Sequence, residues 1–223
     1  GIVVTYLPDY CVDEVSDHVM ALLLTWNRQI GFYDAVAKEG RWSGVRSPVP
    51  LVRLRGRTLG IAGLGRIGRA VAAKAQAFGL EVLAHDPYMP DGISPPSNVR
   101  LVDLPTLLAE SDYITLHTPL NDETRGYIGA EEFAMMKPSA FIINCARGPI
   151  IDEDALYTAL RDGQIGGAGL DVMEVAAPPA DHPLFALKNV LVTPHVAFLS
   201  QQSVLELEVR TAQATADVLQ GNM

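Results

Sequence analysis

From Leu59 onward the chain alternates between short apolar runs and amphipathic stretches, and that alternation leaves few folds open. "TLGIAGLG", "LEVLAHD", "YITLH", "AFIINCA", "GGAGLDV" and "NVLVTPH" each predict a strand, and helical stretches such as "DLPTLLAES", "GAEEFAMM" and "DEDALYTALRDG" fall between several of them. Strands that alternate with helices imply crossover units, a parallel sheet and helices over both faces: an α/β, doubly wound architecture. With 223 residues, 48% of them hydrophobic, the chain can fill the core that such a sheet needs.

Before Leu59 the pattern differs. "IVV" at 2–4 is a short strand signal ended by Pro8 and Asp9. Val15, Val19, Leu22, Trp26 and Ile30 then recur at helical spacing, with Asp13 and Glu14 well placed against the dipole of a first turn. "RWSGVRSPVP" (41–50) reads as a connector, and "YMPDGISPPS" (88–97) and "AAPPADHP" (176–183) read as loops. A last helix carries Leu205, Val209, Ala212, Ala216 and Leu219 on one face.

Seventeen basic against 26 acidic residues leave a net charge of −9, which argues against nucleic acid or an anionic membrane surface as a partner. Cys11 and Cys145 lie far apart and lack metal-ligand spacing, so reduced thiols and no metal are expected. No apolar run approaches the roughly 18 residues of a membrane span, and no leader pattern opens the chain. The expectation is a soluble, cytoplasmic protein.

"GLGRIG" places glycines at 63, 65 and 68 between a strand and a helix. Gly63 allows a tight turn, Gly65 a close approach of backbone to a pyrophosphate, and Gly68 close packing of helix on strand. The next strand ends in Asp86, about 20 residues on, where a carboxylate suits ribose hydroxyls and repels a 2′-phosphate. Together these predict a dinucleotide site that prefers NAD to NADP. Arg147 in "NCARGPIIDEDAL" and His195 after "NVLVT" both stand at carboxyl ends of strands, where open parallel sheets bind ligands. An arginine there can hold a carboxylate bidentately, and a histidine can move a proton.

With these residues in hand, "LRGRTLGIAGLGRIG", "HTPLNDETRGYIG", "FIINCARGPIIDEDAL", "GAGLDV" and "NVLVTPHVAF" resemble, in order and over nearly the whole chain, the D-isomer-specific 2-hydroxyacid dehydrogenases. The resemblance implies a Rossmann sheet and hydride transfer between NAD(H) and a small 2-hydroxy or 2-oxo acid. It implies that Arg147 holds the substrate and that His195 exchanges the hydroxyl proton. It also implies backbone contacts of Arg66 and Ile67 with the pyrophosphate, and Asp86 on the adenosine ribose. Thr118, Pro119 and Thr124 would line the adenosine-to-ribose channel, with Cys145, Ala146 and Asp171 around the nicotinamide. A homodimer is expected on the same ground, with Trp26 and Trp42 either in its contact or in the core.

Two departures stand out. The family's glutamate that orients the histidine falls five residues after the aspartate of the "LDV" strand, and here that position is Ala176. Glu174 lies two residues short, roughly 6.6 Å along an extended chain, so it reaches the site only if the loop register shifts; otherwise it is a solvated acid, as Asp181 and His182 are expected to be. The family also carries a substrate domain largely missing from this chain, so residues 1–10 are a candidate remnant of it and 11–223 the dinucleotide-binding domain. The expectation is therefore an impaired dehydrogenase. The alternative is a non-catalytic NAD-binding module resembling the C-terminal-binding-protein corepressors; a formate-type dehydrogenase fits less well, because its amide partner for the histidine is also missing.

Overall fold

The computed structural model describes residues 2–89 and 94–221. Among them, seven parallel strands form one sheet: β1 (Thr58–Ala62), β2 (Glu81–His85), β3 (Val99–Leu101), β4 (Tyr113–Leu116), β5 (Phe141–Asn144), β6 (Gly167–Leu170) and β7 (Val190–Val192). Their order across the sheet is β3-β2-β1-β4-β5-β6-β7, so the chain winds outward from β1 in one direction and then from β4 in the other. That reversal is the doubly wound topology expected from the alternation, with its crevice between β1 and β4.

Alternate residues of each strand feed two separate cores. Phe141 and Ile143 point to one side, where they meet Val15, Leu23 and Trp26 of α1 (Val12–Arg28) and Val71 and Ala75 of α3 (Arg66–Ala77). Ile142 points to the other, against Leu107 of α4 (Leu104–Glu110), Phe133 of α5 (Ala130–Met135) and Leu156 of α6 (Glu153–Arg161). Burial on both faces is why the strands read as nearly continuous apolar runs rather than alternating ones. Trp26 stacks on Phe141 with ring centroids 4.7 Å apart, and a side chain at Gly167 would collide with the indole. Trp26 therefore belongs to the core, whereas Trp42 is 85% exposed.

Several local expectations are corrected. Residues 2–4 form no strand: Ile2 and Val4 are exposed, and no neighbouring strand pairs with them. The first helix ends at Arg28, because Gln29 adopts the left-handed conformation, and Ile30 opens a second helix, α2 (Ile30–Lys38), with its side chain exposed. Phe78 caps α3 and is 46% exposed, although its spacing from Ile67, Val71 and Ala75 predicts a place on that helix's buried face. β3 had no signal of its own, being three residues long behind a turn at Asn98. The loop at 88–97 lies partly outside the described residues. The last helix, α7 (Gln201–Leu219), forms as expected behind a reciprocal Ser200–Ser203 cap, but Leu205, Val209 and Leu219 are exposed.

Among the described residues no helix is long and apolar enough to cross a membrane. Replacing Trp26 by Ala removes a buried ring that bridges α1 to the sheet, and the expected loss is about 3–5 kcal/mol, read as a lowered urea midpoint.

Candidate functional site

The carboxyl ends of β1, β2 and β4 converge on the glycine turn. Gly63 has φ +96°, and a Cβ there would lie 2.8 Å from the His117 carbonyl carbon. At Gly68 a Cβ would lie 2.2 Å from the Gly63 oxygen, so both positions are filled by the protein's own backbone. Gly65 differs: a Cβ would meet nothing within 4 Å. Its bareness serves space outside the protein, at the start of α3, where no side chain caps the first turn and Arg66 adds positive charge. Free amides, a dipole and a cation at one point suit a diphosphate.

Asp86 follows β2 and turns back onto this loop, its carboxylate accepting from the Leu64 amide at 2.8 Å and the Tyr88 amide at 3.0 Å. A carboxylate can take about four hydrogen bonds, so capacity remains for a ligand. On the β4 side, Thr118 Oγ1 is buried and without a hydrogen-bond partner among the described residues. Such orphaned hydroxyls are uncommon and point to a missing partner. Thr124 is turned inward: its hydroxyl donates to the Pro119 carbonyl at 2.6 Å and so holds the exposed Pro119 from behind. The orphaned hydroxyl, the open cradle at Gly65 and the spare capacity of Asp86 together fit a dinucleotide.

β5 delivers Arg147. The buried amide of Asn144 organises the turn, its oxygen accepting from the Ala146 amide at 3.0 Å and its nitrogen donating to the Arg147 carbonyl at 2.9 Å. Gly148 packs so closely under Met173 that a Cβ would overlap its carbonyl. The guanidinium is exposed and, among the described residues, has no carboxylate partner; it donates only to the Ala146 carbonyl. Cys145 beside it is buried, and burial followed by the charge of Asp171 pushes its thiol up, so it stays protonated and unreactive.

β6 and β7 deliver His195. Asp171, 1% exposed, accepts from Thr193 Oγ1 (2.6 Å), the Val196 amide (2.9 Å) and the Ala197 amide (2.9 Å), and its carbonyl accepts from the His195 amide (2.9 Å). These bonds hold His195 at φ +56°, left-handed backbone that costs a non-glycine residue about 1–3 kcal/mol. The imidazole is exposed and lies edge-on to Phe198 with centroids 6.1 Å apart. Among the described residues no carboxylate hydrogen-bonds it.

The loop after β6 explains why. Ala176 and Glu174 are both exposed, and the Glu174 carboxylate makes no hydrogen bond or ion pair among the described residues. The loop is tied to α6 at two points: the Glu174 amide donates to Glu153 Oε1 at 2.5 Å, and His182 Nε2 lies 3.4 Å from Glu153 Oε2. A shift that moved Glu174 would break the first tie and disturb the packing of Met173 on Gly148. His182, expected in water, is thus partly buried beside Glu153. Asn144, Thr193 and Glu153 carried no signal in the sequence, because their work is hydrogen bonding across the fold.

His117, whose carbonyl abuts Gly63, loses solvation, and this pulls its imidazole down to about 4. Since the unfolded group takes up a proton near 6.5, its contribution to stability is complete above that pH and falls as pH drops toward 4. In His117→Asn, urea midpoints should decline less over that interval than in the parent.

The model of the D-isomer specific 2-hydroxyacid dehydrogenase, NAD binding domain, matches residues 20–197. D-3-phosphoglycerate dehydrogenase of Methanocaldococcus jannaschii is 42% identical over 224 residues, which cover 100% of this chain and 42% of that protein. Glyoxylate reductase of Korarchaeum cryptofilum is 40% identical over 91% of this chain and 62% of its own length. The chain therefore spans less than two thirds of either relative. Among solved structures, D-lactate dehydrogenase from Aquifex aeolicus, complexed with NAD and lactic acid, superposes over 100% of this chain and 71% of its own, with a TM-score of 0.92 at 32% identity.

Proposed function

Because the chain belongs to the D-isomer specific 2-hydroxyacid dehydrogenase family as its NAD binding domain, we propose that the complete protein transfers a hydride between NAD(H) and a small 2-hydroxy or 2-oxo acid. The observation that carries this reading is His195, held in left-handed backbone by Asp171 at the same sheet edge as the glycine turn and Arg147, which has no carboxylate partner among the described residues. Strain concentrated on a titratable residue at a ligand-binding edge suits a catalytic group better than a structural one.

When bound, NAD supplies the hydride acceptor or donor. The amides at Gly65, Arg66 and Ile67 hold its diphosphate, with Gly63 and Gly68 shaping the turn behind them. Asp86 accepts from the adenosine ribose and disfavours a 2′-phosphate by like charge. Thr118 and Pro119 form the channel wall, and Thr124 supports Pro119 from behind. Cys145 and Ala146 flank the nicotinamide, and Asp171, with three of about four acceptor positions occupied, has room for one donor from a carboxamide. Arg147 pairs with the acid's carboxylate. His195 protonates the substrate oxygen in reduction and takes the proton back in oxidation. Residues 11–223 make up this cofactor domain, and residues 1–10 are the remnant of a substrate domain.

Ala176 leaves His195 without a carboxylate to orient its ring, so turnover is slow while cofactor binding is intact. Positioned acid–base catalysis contributes about 10²- to 10⁴-fold, and Ala176→Glu should recover part of it, on the order of 10-fold or more in kcat, with glyoxylate, hydroxypyruvate and pyruvate as substrates. Calorimetric titration should show NADH binding at least tenfold more tightly than NADPH, a preference that Asp86→Ala removes. NADH binding without turnover in both the parent and Ala176→Glu would favour the second reading, a non-catalytic NAD-sensing module, which the lone His195 ring supports. The complete protein should sediment as a homodimer; a monomer at every concentration would remove that part.

A further inference from the structure

A second histidine stands behind the His195 turn. His18, on α1, places Nε2 2.9 Å from Thr193 Oγ1 and 3.6 Å from Asp171 Oδ1, and its side chain is 20% exposed. Chain distance makes the contact more than local packing, since 175 residues separate His18 from Thr193. Among the described residues every other hydrogen-bond partner of the Asp171 carboxylate belongs to the turn itself; Ala197 packs against α1 and Ser200 donates to Glu14, but His18 is the α1 side chain that reaches the Thr193–Asp171 bond.

Counting protons sets the direction of this chain of bonds. A carboxylate only accepts, and both oxygens of Asp171 already face amide donors. Thr193 has one hydroxyl proton, and at 2.6 Å from Oδ1 it must point at Asp171, because two lone pairs that close would repel. Thr193 Oγ1 then has only lone pairs for His18, so His18 carries its proton on Nε2 and donates. The reverse tautomer would leave oxygen and nitrogen lone pairs facing each other at 2.9 Å.

We propose that His18 is a positioning residue for the reaction: by donating Nε2–H to Thr193 it fixes the Thr193–Asp171 bond, and so the backbone turn that presents His195. The inference rests on the reading of His195 as the proton-transfer group. With Ala176 where a ring-orienting carboxylate would stand, the backbone of residues 193–197 is what aims the imidazole, and His18 anchors that backbone from outside the turn. An apolar side chain would fill the same space, but it could not donate to Thr193 Oγ1 and so hold that oxygen against Asp171.

The test compares His18→Leu, which keeps bulk without a donor, with His18→Gln, whose Nε2–H can take the place of the imidazole donor. Both are made in the complete protein. In His18→Leu, amide hydrogen exchange at Val196 and Ala197 should quicken about tenfold while Ile114 in β4 is unchanged. The turnover number with a 2-oxo acid should fall on the order of 10-fold with the KM for NADH unmoved. His18→Gln should restore most of both. Thr193→Val should reproduce the loss, and adding His18→Leu to it should make it no worse.

Equal effects of Leu and Gln, or faster exchange at Ile114 as well, would reduce His18 to a packing residue and overturn the proposal. So would exchange at Val196 and Ala197 that matches the parent. Should the parent turn over no 2-oxo acid, the dehydrogenase reading fails on its own, and the exchange measurements still decide whether His18 holds the turn.

Discussion

The carboxylate of Asp171 is the fixed point around which the sheet edge carrying His195 is built. A charge with 1% exposure is tolerable only if its oxygens are met by donors, and here a hydroxyl and two amides meet them. All those donors come from residues 193–197, so satisfying the charge and shaping the turn are the same event. The energy recovered from the buried carboxylate offsets the left-handed backbone at His195.

The sheet makes this arrangement possible by bringing distant segments to one edge. β5, β6 and β7 are neighbours in parallel register, so the residues that follow them, Arg147, Asp171 and His195, emerge side by side. On the other flank, the segments that follow β1 and β4 meet at Gly63, which abuts His117 and Thr118, while Gly65 beside them faces open space. Two cores, one against α1 and α3 and the other against α4, α5 and α6, clamp the sheet from both faces. Rigid strands thus carry residues whose useful geometry lies in the loops.

Much of this is legible in the sequence because burial on both faces writes itself as apolar runs, and strand ends are where parallel sheets place their ligands. The glycine turn is legible for a steric reason: Gly63 and Gly68 sit where any side chain would collide with backbone. What escapes is what depends on distant partners. "IVV" has strand composition but no strand to pair with, and β3 is a strand too short for periodicity to mark. Gln29 interrupts a helical pattern that continues through it, since the apolar spacing cannot register one left-handed residue. Asn144, Glu153 and His18 have no spacing rule at all; each acts by a hydrogen bond that only the folded chain creates.

Ala176 shows how sequence and structure answer different halves of one question. Counting from Asp171 locates the missing carboxylate, but leaves open whether Glu174 could slide into its place. The fold closes that route, because Glu153 ties the loop on both sides of Ala176 and Met173 lies directly over Gly148. Moving Glu174 would strip an amide donor from Glu153 and disturb Met173 in exchange for a single contact to an exposed ring. The loop therefore keeps its register, and the orientation of His195 rests on the backbone that Asp171 holds.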